Sequence, residues 1–154
     1  KPILKKVNIN EVVLRSINLF KLSEPKINFT ISKLKPINYI RGDAEQLNRV
    51  FLNLIKNSIE SINEKKNKIL DLQGKINIDI IEDNHYIYVN IVDNGIGFKD
   101  VDKEKMLTPY FTTKKRGTGL GLAVVTKIIT DHNSTILFNS NEEGATISIT
   151  IPKI

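Results

Sequence analysis

Three short stretches of the chain carry side chains whose type and spacing could do chemistry. In "LNLIKNSIESI", Asn53 and Asn57 stand four residues apart, which on a helix puts both carboxamides on one side. Leu54, Ile55, Ser58 and Ile59 flank them, so a helix cannot turn both amides clear of its packed faces. The pair is either two surface amides or a paired-oxygen site for a hard cation. Mg2+ would suit such a site, since it keeps several waters and shares phosphate oxygens rather than filling an all-protein cage. In "DNGIGF", Asp93 ends the alternating run "YIYVNIV" and is followed by Gly95 and Gly97. An ordinary Asp-Asn-Gly turn explains that. A buried carboxylate accepting from an exocyclic amine, such as N6 of adenine, explains it equally, with the glycines leaving the backbone open to a flat ring. In "KKRGTGLGLA", Gly117, Gly119 and Gly121 alternate into an apolar helix behind Lys114, Lys115 and Arg116. Backbone N–H groups at such an entrance cradle phosphate, or the glycines serve tight packing. The spacing is not G-x-x-x-x-G-K-[ST], and no strand leads straight into it, so the common mononucleotide and dinucleotide fingerprints are absent.

These residues need elements to hold them. "GDAEQLNRVFLNLIKNSIESINEK" has the strongest helical pattern, with Asp43 as cap, Gln46 placed as in a capping box, and Leu47, Phe51, Leu54, Ser58 and Ile62 in one core-facing stripe. "VNINEVVLRSINLF" predicts a helix capped by Asn10, with Val13, Ile17 and Phe20 on one face. "KINFTISK" and "INYIR" predict two strands with "KLKP" as a turn between them. "KINIDIIED" and "HYIYVNIVD" predict a hairpin joined through Asp83-Asn84, after a polar surface loop "NEKKNKILDLQG". Regular structure fades from Gly97 to Gly117 apart from a short turn near "KEKML". "GLGLAVVTKIITDH" is then a helix, and "STILFNS" and "ATISITIP" form a closing hairpin around "NEEG". Helices on one face of a mixed, mostly antiparallel sheet make an α+β two-layer sandwich.

The 154 residues suit a single domain with a real core, and the absence of cysteine excludes disulfides and thiolate metal sites. A net charge of +6 would suit nucleic acid, an acidic partner or a phosphorylated ligand, but the basic residues are scattered and tryptophan is absent. That gives no interleaved stacking surface for nucleic acid. No apolar run is long enough to cross a bilayer. Beginning on Lys1, the chain reads as a fragment of something longer.

The order of the motifs resembles the ATP-binding catalytic domain of sensor histidine kinases, in the superfamily shared with gyrase, Hsp90 and MutL. "LNLIKNSIESI" resembles its N box, "DNGIGF" its first glycine box, "TPYFTTK" its F box and "GTGLGLA" its second glycine box, over roughly Val7 to Pro152. The "PYFTTK" form and compact spacing are most similar to nitrogen-regulation type kinases. The resemblance implies a Bergerat-type ATP-binding fold, with ATP and Mg2+ as cofactors. It gives Asn57 to the metal, Asn53 to the neighbourhood of the phosphates, and Asp93 to the adenine amine, with Gly95 and Gly97 shaping the base pocket. Lys114 would reach a terminal phosphate, and Gly117, Thr118, Gly119, Leu120 and Gly121 would form the phosphate-cradling lid. Thr146, or its neighbour, would line the adenine site. Tyr110 and Ile147 stand where Phe is frequent, and Ser58 where Ala is common.

Hydrolytic relatives carry a Glu four residues before the metal-binding Asn. Here that residue is Asn53, and an amide cannot serve as general base, so little free ATPase activity is expected. The resemblance instead implies transfer of the γ-phosphoryl to a histidine on a separate dimerisation domain, with a response regulator downstream. His85 and His132 lack the acceptor context and read as surface or capping residues, so the chain alone should not autophosphorylate. It should be a monomeric piece of a cytoplasmic module whose full-length protein dimerises. A mobile lid is expected over Phe98–Arg116. A protein-serine kinase of the anti-sigma type and a non-catalytic ATP-dependent switch remain open alternatives.

Overall fold

The computed structural model describes residues 1–32, 38–97 and 121–154. The expected turns at "KLKP" and "KEKML" and the expected lid lie outside them. The element order is β1 (Lys5–Asn8), α1 (Ile9–Ser23), β2 (Asn28–Ser32), β3 (Tyr39–Gly42), α2 (Ala44–Lys66), β4 (Lys75–Glu82), β5 (Tyr86–Asp93), α3 (Gly121–Asp131), β6 (Thr135–Asn141) and β7 (Gly144–Pro152). A five-stranded sheet runs β2-β4-β5-β7-β6, antiparallel except for the parallel β2–β4 pair, and β1 and β3 form a separate antiparallel ribbon.

Alternation decides which face each strand buries. Ile76, Ile78 and Ile80 on β4, Ile87, Val89 and Ile91 on β5, and Ile147, Ile149 and Ile151 on β7 pack against the helices. The helical layer answers with Val13 and Ile17 of α1, Leu47, Phe51, Leu54, Ile55 and Ile62 of α2, and Val125, Ile128 and Ile129 of α3. Helix α2 packs against both α1 and α3, so it is the centre of the layer. The other sheet face is polar: Thr30 Oγ1 donates to Asn77 Oδ1 (2.6 Å), Asn77 Nδ2 donates to Asp79 Oδ1 (3.0 Å), and Ser32 Oγ donates to the same Asp79 oxygen.

The predicted α+β sandwich, the long helix with its buried stripe and both hairpins are observed. Three local expectations change. The strands from "KINFTISK" and "INYIR" form, but in different sheets: β2 joins β4, while β3 pairs with the short strand β1, which periodicity over so few residues could not reveal. The cap of α1 is Asn8, not Asn10. Asn8 Oδ1 accepts from the Asn10 N–H (3.2 Å) and also from the Asn38 N–H (3.1 Å), whereas Asn10 is buried and accepts from Asn38 Nδ2.

At α2, Asp43 caps as expected, accepting from Glu45 N and Gln46 N. The reciprocal half of the capping box does not form, because the Asp43 N–H donates to His132 Nε2 (3.0 Å) rather than to Gln46. His132 is therefore no surface residue; it is 4% exposed and caps across helices. Helix α3 ends beside it with Asn133 at φ 53°, the left-handed conformation Asn tolerates, while Ser134 N–H donates back to Ile129 O (3.0 Å).

Replacing Asn8 with Ala should cost about 1–2 kcal/mol, since one acceptor serves both a helix end and the Asn38 N–H. Urea denaturation of the variant checks this; an unchanged midpoint would rule out Asn8 as the cap.

Candidate nucleotide site

Asp93 is the last residue of β5 and continues the inward-facing series Ile87, Val89, Ile91, which buries its carboxylate to 6% exposure. The chain then turns at once, and the Gly95 N–H donates to Asp93 Oδ1 (2.8 Å). Burial pushes the Asp93 carboxyl above the ordinary carboxylate range. Backbone hydrogen bonds from Gly95 and Ala145, the nearby Ser58 side chain and the charge of Lys65 draw it partly back. Ser58 acts here as a close dipole; its buried Oγ completes no hydrogen bond of ordinary geometry among the described residues. The result is a buried carboxylate, held at one oxygen by the Gly95 N–H and shifted upward by its burial. Such a group accepts strongly from a donor that displaces the remaining solvent.

The turn after Asp93 is held on three sides. Asn94 Oδ1 accepts from Lys75 N (2.8 Å) and its Nδ2 donates to Gln73 O (2.8 Å), pinning the turn to the start of β4. Ile96 N–H donates to Ser61 Oγ (3.0 Å) on α2. Gly95 rests directly on that helix: a Cβ there would overlap Ser61 Oγ and stand 2.7 Å from the Ser61 carbonyl carbon. Gly97 has φ 69° and lies against the β6–β7 turn, where a Cβ would meet Asn141 O at 3.0 Å. Lys65 Nζ closes the arrangement by donating to the carbonyls of Glu142 (3.3 Å) and Glu143 (3.4 Å).

On α2, Asn53 and Asn57 are half-buried, and Asn57 is adjacent to Ser58, so the amide pair and the carboxylate's neighbour share two turns of one helix. Gly121 opens α3, and among the described residues a Cβ on it would meet nothing within 4 Å. Lys114, Gly117, Thr118, Gly119 and Leu120 lie outside the described residues. The register sets Asp93 opposite Ala145 and Val92 opposite Thr146, so Thr146 stands on the sheet face away from Ala145, while Thr146, Val92, Asn77 and Asp93 all border one open groove at this end of the sheet.

Several contributors were not singled out from the sequence: Ser61, Lys65, Gly144 and Ala145. The apolar alternation Ala145, Ile147, Ile149, Ile151 was a readable sign that Thr146 faces away. Gly144 gave no such sign; at φ 150° it lets β7 begin where a Cβ would overlap the Asp93 carbonyl.

Among the described residues no cluster of three or more His, Cys, Asp or Glu could hold a metal. A half-buried Asn amide fits a cation that brings most of its ligands with it, as water and phosphate oxygens.

Fold and site together define a class, the two-layer catalytic domain of the histidine kinases. The catalytic domain of histidine kinase ThkA superposes with a TM-score of 0.83 at 30% identity, covering 98% of this chain and 96% of that one. The chain belongs to the histidine kinase-, DNA gyrase B- and HSP90-like ATPase family, which matches residues 42–154. Curated relatives include sporulation kinase B of Bacillus subtilis, 40% identical over 122 residues, and nitrogen regulation protein NtrY of Azorhizobium caulinodans, 30% identical over 144 residues. These alignments cover 79% and 94% of this chain but only 27% and 18% of the relatives, so the chain matches a minor part of each. A further ThkA structure is a complex with the response regulator protein TrrA.

The upward push on Asp93 has a consequence for stability. A carboxyl with a raised folded-state pKa contributes its stability at low pH and loses it as pH rises through that pKa. Asp93→Asn should therefore melt higher than the parent at pH 7, with the gain shrinking as pH falls toward the ordinary carboxylate range. Thermal melts of both proteins across this range check the prediction; a gain that grows on acidification would contradict it.

Proposed function

We propose that this domain binds Mg-ATP and donates the γ-phosphoryl group to a histidine on a separate dimerisation domain of a two-component sensor kinase. The observation that carries the proposal is Asp93, a buried carboxylate with a raised pKa beside the helix that bears Asn53 and Asn57. In this view Asp93 accepts the N6 amine of adenine, and Ala145, its cross-strand neighbour, borders the base. Gly95 and Gly97 hold the turn that aims the carboxylate, and Asn57 offers its amide oxygen to the metal. When bound, the metal neutralises phosphate charge and fixes the leaving oxygens. Lys114 and the segment Gly117–Gly121 would supply the cation and backbone donors at the phosphates.

Chemistry then rests on position and charge rather than on proton transfer. Asn53 can orient but cannot take a proton from water, which disfavours hydrolysis and leaves the phosphoryl group for an incoming imidazole. His85 lies on the β4–β5 turn, at the opposite end of β5 from Asp93, and His132 is buried, so neither suits an acceptor that must meet ATP. The acceptor histidine and the response regulator are accordingly partners outside this chain. A need for ATP supports a cytoplasmic location in this reading. No helix among the described residues is long and apolar enough to cross a membrane.

Calorimetric titration with a non-hydrolysable ATP analogue tests the assignment. Asp93→Asn should weaken the ATP analogue at least about tenfold and its GTP counterpart little, because an amide can turn a donor toward the base amine. Equal affinity of parent and variant for ATP would sink the adenine assignment. Asn57→Ala should abolish the Mg2+ dependence of binding while leaving metal-free affinity within about twofold; an equal loss in both conditions would mean that the helix, not the metal site, was damaged.

A further inference from the structure

His132 sits at the junction of the two helices that flank the proposed phosphate end of the site. Its Nδ1 lies 2.8 Å from Ile128 O, a group that can only accept, and its Nε2 lies 3.0 Å from Asp43 N, a group that can only donate. The proton is therefore on Nδ1 and the lone pair on Nε2, a single neutral tautomer fixed by two backbone partners. The ring is 4% exposed, and its Cδ2 would stand 3.2 Å from a Cβ on Gly42, so it is closely packed. Gln46, the residue placed to satisfy the Asp43 N–H from within α2, leaves its Oε1 buried without a partner among the described residues.

The bridge ties the C-terminal end of α3 to the N-terminal end of α2. With that corner fixed and the helices in contact, α3 runs back along α2 in the opposite sense. Its 11 residues rise about 16 Å, the distance that along α2 leads from the cap at Asp43 to the level of Asn53. Gly121, which opens α3, is thereby brought to about the level of Asn53 along α2.

We propose that His132 is a positioning residue of the site: by bridging α3 to the cap of α2 it holds Gly121 in fixed relation to Asn53 and Asn57, and so governs binding of the phosphates but not of the base. The inference rests on the nucleotide reading above. Asp93 and its turn are held by β4, the β6–β7 turn and the far half of α2, none of which depends on the bridge.

Two variants separate this role from general packing. His132→Phe keeps the ring and removes both hydrogen bonds, leaving the Asp43 N–H without its acceptor. His132→Gln keeps an acceptor at the Nε2 position. Each is titrated with adenosine and with a Mg2+-bound non-hydrolysable ATP analogue, with thermal melts alongside. The expected result is adenosine affinity within about twofold of the parent for both, analogue affinity about tenfold lower for His132→Phe, and most of that loss recovered in His132→Gln. Long-range nitrogen-15 spectra of the parent should show the Nδ1-protonated tautomer. Equal losses for both ligands, no loss for either, or an Nε2-protonated ring would each overturn the proposal. A parent protein that binds adenosine but not the analogue would also overturn it, and one that binds neither would overturn the nucleotide reading with it.

Discussion

A methyl group on Gly95 would overlap the Ser61 side chain and stand 2.8 Å from the Ile62 nitrogen, so the end of β5 can lie on α2 only as bare backbone. This one close approach sets the spacing between the two layers at their functional end. It brings the Ile96 N–H to Ser61 Oγ, and it places the Asp93 carboxylate where its nearest neighbours are Gly95, Ala145 and Ser58 rather than water. Gly144 repeats the device from the other side, bringing β7 against the Asp93 backbone. Sheet, central helix and turn thus meet around a carboxylate with backbone atoms on two sides.

That carboxylate is expensive where it stands. Burial works against its charge, and the protein answers with partial measures: one backbone donor at 2.8 Å, a second from β7, a nearby hydroxyl and a lysine engaged elsewhere with two carbonyls. A buried carboxyl pushed above its ordinary range fits a group kept for binding, with the surrounding isoleucine-rich core supplying the stability it costs.

Much of this was legible from residue order. The long helix declared itself through its stripe of Leu47, Phe51, Leu54, Ser58 and Ile62, since a 3.6-residue period over 23 residues is hard to mimic. The hairpins were legible because strict alternation met turn residues at Asp83-Asn84 and Asn141–Gly144. What escaped depended on pairing between distant segments. Strand β1 has four residues and is a strand only because β3 lies beside it. Asn8 rather than Asn10 caps α1 because Asn38, 30 residues away, needs the same acceptor. The bond that displaces the capping box crosses 89 positions to His132. The face on which Thr146 sits was readable from its own strand, yet which face carries the site is decided by its register with Asp93.

The polar face of the sheet, with Thr30, Ser32, Asn77 and Asp79 joined by their own hydrogen bonds, bears on how such a domain lives in company. A sheet with two greasy faces must be buried twice, and whatever covers it becomes part of the same cooperative unit. Here one face carries mostly polar side chains, so it asks for less cover than the other. A unit of that kind can be carried on a tether, swing against a neighbour and let go again, because parting exposes no core. Delivery of a bound ligand from one place to another is a mechanical task that this two-layer design leaves open.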